Sequence, residues 1–185
     1  DCEFFFNGKA NWQECCNIIS SILLYHNGPI HEFNLFIPLE AYEKCKYLGQ
    51  LLSFLSRNEV RRLKMFSEGF DLPISSHIFR CSELVHLELE LFTLYSPPTG
   101  FNGFPKLRHL SLRYIEFSKE DMFPALIAKC CRLVTLSLSY CRGISHSVID
   151  VPTLETLKIV GDSECESIAF GDLYNLKSIS LCLSN

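Results

Sequence analysis

The chain has 185 residues, 48% of them hydrophobic and 21% charged, with a formal net charge of −4. That is enough apolar material for a packed core and too much for a disordered chain. An acidic balance disfavours nucleic acid, whose binders carry a basic excess, and no apolar run reaches the roughly 18 residues that a membrane span needs.

In chain order, the first expected element is a helix. NWQECCNIISSILLYHNG (11–28) puts Trp12, Cys15, Cys16, Ile19, Ile22 and Leu23 on one helical face, with Asn27–Gly28 as a stop. This predicts an N-terminal capping region over 1–27, ahead of a repeat domain over 28–185. IISSILLY (18–25) lacks the basic flank and cleavage site of a signal peptide. FNLFI (33–37) alternates as a strand, and LGQLLSFLS (48–56) carries Leu48, Leu51, Leu52 and Leu55 at helical spacing. DLPISSHIFR (71–80) predicts a single turn, and the turn-rich SPPTGFNG (96–103) predicts a loop. In SKEDMFPALIAKC (118–130) Ser118 is the expected helix cap, with Pro124 about one turn in. The segments after Tyr140, with Gly143, Gly161 and Gly171, read as loops. The start at Asp1 rather than methionine, and the end on LCLSN with no polar cap, read as a piece of a longer protein.

Between these segments one phrase recurs, apolar-x-x-apolar-x-apolar. It appears as VRRLKM (60–65), LVHLEL (84–89), LRHLSL (107–112), LVTLSL (133–138), LETLKI (154–159) and LKSISL (176–181). The spacing of first positions, 21 to 26 residues, fits the roughly 20–29 of leucine-rich repeats. The last two apolar residues of each phrase lie two apart, so they share one strand face. A single strand cannot bury that face, whereas a stack of parallel strands covered by return limbs can. The expected fold is therefore α/β, a leucine-rich-repeat solenoid forming a short arc of about six to seven repeats, with a concave parallel sheet and helices or loops on the convex side.

The segments GPIHEFNLFIP (28–38), LSFLSRNEVRRL (52–63), LPISSHIFRCSELVHLEL (72–89), FNGFPKLRHLSL (101–112) and DVPTLETLKI (150–159) resemble the plant F-box/FBD/LRR-repeat proteins. The resemblance runs from about residue 12 to 185. It implies the leucine-rich-repeat region that lies between an N-terminal F-box and a C-terminal FBD segment. In that family the F-box docks on a Skp-type adaptor of a cullin ubiquitin ligase, and the repeats are thought to choose the substrate. The leucine-proline opening and tryptophan-containing end of an F-box have no match in residues 1–27, and the FBD segment is not visible. A Skp-type adaptor is therefore expected as a partner only if an F-box lies upstream. The alternative is a stand-alone or truncated scaffold with no ubiquitin role.

Catalytic and metal signatures are missing from the sequence. There are ten cysteines and six histidines, but no C-x-x-C and no phosphate-binding or dinucleotide-binding glycine motif. Cys141 with His146 reads as a core thiol and a surface histidine. Most cysteines occupy apolar slots, which predicts reduced, buried thiols and an intracellular setting. No cofactor is expected, and a thiol-dependent enzyme has only cysteine number behind it.

The candidate site is the outward ladder on the concave face, with an unidentified protein as the expected partner. It comprises Arg62 and Lys64, then His86, Glu88 and Glu90, then His109, Ser111 and Arg113. Thr135, Ser137 and Ser139 follow, then Thr156 and Lys158, then Ser178 and Ser180. His86 and His109 hold the same slot in successive repeats and should meet. Tyr114 and Tyr140, just past their phrases, are candidate aromatic anchors. Arg57, Arg61, Arg62 and Lys64 form a basic run that reads as a solvated face.

Overall fold

The computed structural model describes residues 2–4, 12–39, 46–161 and 167–183. Its organising element is one eight-stranded parallel sheet. The strands, in spatial order, are β1 (Cys2–Phe4), β2 (Glu32–Ile37), β3 (Arg62–Ser67), β5 (His86–Glu90), β7 (His109–Arg113), β9 (Thr135–Ser139), β11 (Thr156–Gly161) and β13 (Ser178–Leu183). Neighbours in the sheet follow chain order, so each convex limb is a crossover to the adjacent strand. This is the expected solenoid. Every phrase supplies one strand and FNLFI supplies β2. β1 adds a strand that no phrase announces.

The convex limbs change character along the arc. α1 (Trp12–Tyr25) crosses from β1 to β2, and α2 (Lys46–Arg57) from β2 to β3. The expected cap helix is thus preceded by a strand. Its buried face is Trp12, Cys15, Cys16, Ile19 and Leu23; Ile22, expected there, is 41% exposed because it lies at the margin of the stripe. The expected α2 face is buried in full. The next limb holds a 3-10 helix, Ser76–Arg80, whose start is capped by the Ser75 hydroxyl accepting from the His77 N–H. α3 (Met122–Ile127) begins after Asp121 rather than Ser118, and Asp121 makes no side-chain capping bond.

The convex side also carries two small parallel sheets. β4 (Leu72–Pro73), β6 (Phe92–Leu94) and β8 (Glu116–Phe117) form one, and β10 (Val148–Ile149) with β12 (Ala169–Phe170) the other. The limbs after Tyr140 therefore pair where loops were expected. The loop over 96–103 has no helix or strand, yet it is tied to the core. Phe101 and Phe104 pack with Phe79 at centroid distances of 4.9 and 6.2 Å. Lys129 Nζ donates to the Phe101 carbonyl at 2.7 Å.

Two devices repeat along the solenoid. The leading apolar residue of a phrase closes a turn by donating its N–H three residues back, as in Leu84 to Cys81, Leu107 to Phe104, Leu133 to Cys130 and Leu154 to Val151. Each repeat also hooks onto its predecessor through a carbonyl that accepts two consecutive amides. The His31 carbonyl takes Arg61 and Arg62, Arg61 takes Val85 and His86, Val85 takes Arg108 and His109, and Arg108 takes Val134 and Thr135. Val134 and Glu155 repeat the pattern for the last two joints, with all twelve N···O distances between 2.8 and 3.0 Å.

The inward residues of the first five phrases are all buried, from Val60, Leu63 and Met65 to Leu154, Leu157 and Ile159. The sixth copy behaves differently. Ile179 and Leu181 pair in register with Leu157 and Ile159, but they are 53% and 52% exposed. β13 is the edge of the sheet, and nothing among the described residues covers its inward face.

The concave face as a candidate recognition surface

Strand register arranges the outward side chains in three rows. The first is Glu32, Arg62, His86, His109, Thr135, Thr156 and Ser178. The second is Asn34, Lys64, Glu88, Ser111, Ser137, Lys158 and Ser180, and the third is Phe36, Phe66, Glu90, Arg113, Ser139, Val160 and Cys182. All the expected strand-borne site residues thus fall on one face, because a period of two leaves every second side chain on it.

Within each row, an ion pair links neighbouring strands in the first half of the arc. Arg62 Nε lies 3.5 Å from Glu32 Oε2, Lys64 Nζ 3.4 Å from Glu88 Oε2, and Arg113 Nη1 3.4 Å from Glu90 Oε1. These pairs are partly solvated, so each adds at most about 1 kcal/mol to stability. Their role is to fix the side chains in place. The basic run is split by this pairing. Arg62 and Lys64 sit on the concave face, while Arg57 donates to the Ser53 carbonyl at the end of α2.

His86 and His109 meet as expected, with ring centroids 5.7 Å apart and planes inclined by 36°. The His109 pKa is lowered from the ordinary 6.5, first by burial and then by His86, Arg108 and Arg62. Glu88 Oε2 is also 3.5 Å from His86 Nε2, without hydrogen-bond geometry.

The second half of the arc is nearly bare of charge. Thr135, Ser137, Ser139, Thr156, Ser178 and Ser180 surround Lys158, which takes part in none of the ion pairs among the described residues. A depression of about 210 Å³ lies here, bounded by Glu88, Glu90, Ser111, Arg113, Ser137, Ser139 and Lys158.

Tyr114 and Tyr140 follow β7 and β9 directly. Both have left-handed backbone, φ 49° and 51°, as does Leu91 after β5 at 63°. This conformation costs an L-residue roughly 1–2 kcal/mol. It is held by amides that donate to the next strand: Leu91 to the Arg113 carbonyl, Tyr114 to Ser139 and Tyr140 to Val160, at 3.0, 2.8 and 2.7 Å. The two phenol rings stack at 5.2 Å and 7° and are each 41% exposed. They border a groove of about 430 Å³ with Phe70, Asp71, Ile115, Glu116, Cys141 and Arg142.

Two aromatic residues escaped the sequence reading. Phe36 and Phe66 occupy outward positions of β2 and β3, half-buried, with centroids 5.0 Å apart. Their signal was present, since Phe36 alternates with Leu35 and Ile37, but an apolar residue inside an apolar run hides which face it takes.

No group of three or more potential metal ligands occurs among the described residues. Cys15, Cys16, Cys81, Cys130 and Cys141 are buried, whereas Cys131 and Cys182 are exposed. Burial pushes the thiols of Cys81 and Cys130 up to about 12 and about 11, which keeps them protonated and poor nucleophiles. His146 is exposed. No helix among the described residues is long and apolar enough to cross a membrane.

Comparison with known proteins adds to this geometry. The family model described as FBD-associated F-box protein At5g56370, LRR repeats, matches residues 48–184. The chain belongs to that family. F-box/FBD/LRR-repeat protein At1g13570 of Arabidopsis thaliana is 33% identical over 166 residues, which is 89% of this chain and 38% of the relative. This FBD-associated LRR region thus spans well under half the length of that relative. No solved structure matches it.

Proposed function

We propose that this LRR region is the partner-recognition part of an F-box-type ubiquitin ligase subunit, and that its concave face holds a protein substrate inside the cell. The carrying observation is the division of labour within the strands from β2 to β11. Their inward positions belong to one core cluster, so the ladder of outward positions is free to vary in charge and size at little cost to the fold. In the first half of the arc, mixed charges held by ion pairs would set a partner's register. In the second half, small hydroxyl residues would let it approach closely. Engagement of a Skp-type adaptor is proposed only for a protein that also carries an F-box. No catalysis, cofactor or nucleic acid enters the proposal.

The test is affinity capture with the full-length protein, comparing wild type with Glu88→Arg and Arg113→Glu. Both variants should keep the wild-type circular dichroism and a melting temperature within a few degrees of wild type, as loss of a partly solvated ion pair allows, while losing the substrate. Capture of the adaptor without any substrate sensitive to these changes would move recognition off the concave face. Capture of a substrate with no adaptor would leave an interaction scaffold without a ubiquitin role.

A further inference from the structure

We infer that the recognised partner is an extended peptide segment with an acidic residue and a basic residue about three to four positions apart, lying along β7 and β9 and over the stacked tyrosines. This deepens the recognition reading and rests on it.

The depression at Lys158 and the groove beside Tyr114 and Tyr140 follow one another along β7 and β9, since Arg113 and Ser139 border the first and the tyrosines next to them in the chain border the second. They carry opposite residual charge. In the depression, Glu88 is matched by Lys64 and Glu90 by Arg113, which leaves Lys158 as the uncompensated cation. In the groove, Asp71 and Glu116 face one arginine, Arg142, and none of the three joins an ion pair among the described residues. The groove therefore keeps a residual negative charge.

Between the two poles lie the paired phenol rings. Their left-handed backbone puts both side chains on the rim, in parallel and part exposed. Stacked faces of this kind take a planar group or the stem of an arginine or lysine. The distance from the cation to the rings follows from the strand rise. Lys158 is level with Ser137, three positions before Tyr140, so the rings lie about 10 Å along the strand from the cation at roughly 3.3 Å per residue, and Asp71 and Glu116 line the groove that the rings border. An extended ligand covers that distance in three to four residues. Its acid would meet Lys158 amid hydroxyl donors, and its base would meet Asp71 and Glu116 beside the rings.

The experiment is selection of a random linear peptide library on the full chain, followed by Kd measurements on synthetic winners by fluorescence polarisation. Enriched peptides should share an acid and a base at that spacing in one fixed order. Lys158→Glu and Glu116→Lys should each weaken binding by roughly tenfold or more. A peptide with its acid changed to lysine should recover affinity on Lys158→Glu. Tyr114→Ala with Tyr140→Ala should weaken every winner. The inference is overturned by an absence of enriched peptides, by winners without the charge pair, or by affinities indifferent to these substitutions. If such winners are instead lost with Lys64→Glu, the concave face remains the recognition surface and only the bipolar groove fails. Indifference to every concave substitution would overturn both.

Discussion

Replacing Leu110 by alanine and, separately, Ile179 by alanine removes similar bulk from equivalent positions of the recurring phrase. Leu110 is 2% exposed and lies in register between Leu87 and Leu136. Its truncation loses about 2.4 kcal/mol of transfer free energy at roughly 0.8 per methylene. The enclosed cavity adds to this, for a total of about 3–4 kcal/mol. Ile179 is 53% exposed, so about half the transfer value is at stake and no closed cavity forms, giving about 1 kcal/mol. Urea denaturation should be followed by far-ultraviolet circular dichroism and by fluorescence of Trp12, the single tryptophan, which is buried in α1. Coincidence of the two probes tests whether both ends of the solenoid unfold together. Equal costs at the two positions would refute the reasoning, because they would require β13 to be covered like an interior strand.

Three other outcomes follow from local geometry. Gly103→Ala should destabilise well beyond Gly100→Ala, although both glycines have left-handed φ, 93° and 87°. A Cβ at 103 would sit 2.1 Å from the Lys129 carbonyl oxygen, whereas Gly100 has nothing within 4 Å; thermal melts that rank the two equally would exclude the clash. Because the His109 pKa is depressed in the fold, the unfolded chain binds more protons in acid. Its contribution to stability is whole above the ordinary 6.5 and falls as pH drops through the lower folded value. His109→Gln should flatten that acid limb in denaturation curves measured across pH. Iodoacetamide followed by peptide mass spectrometry should label Cys131 and Cys182 first, with Cys81 and Cys130 protected until unfolding.

The strands were legible because each phrase states its own register. A leucine displaced by one position would face solvent, so the alternation of Leu110 and Leu112 with His109, Ser111 and Arg113 admits one reading. The meeting of His86 with His109 and of Tyr114 with Tyr140 follows from the same register. The convex side was less legible. Pairings as short as Leu72–Pro73 with Phe92 and Thr93 span two residues and leave no alternation to detect. The α3 start at Met122 depends on backbone geometry after Asp121, which an attractive serine three residues earlier concealed. Exposure of Ile179 and Leu181 is a matter of position in the stack, and a phrase carries no record of whether another limb covers it. The charge poles at Lys158 and at Asp71 with Glu116 were equally invisible, since they depend on which neighbours are already neutralised.

The doubly accepting carbonyls that join successive repeats give the chain a modular joint. Each joint uses backbone atoms alone and has the same geometry from His31 through Glu155. A unit of one repeat length could be duplicated or excised between two joints, and the strands on either side would meet the same hook. The solenoid can thus lengthen or shorten in evolution by whole units, and each new unit would bring three fresh outward positions to the concave face without renegotiating the core.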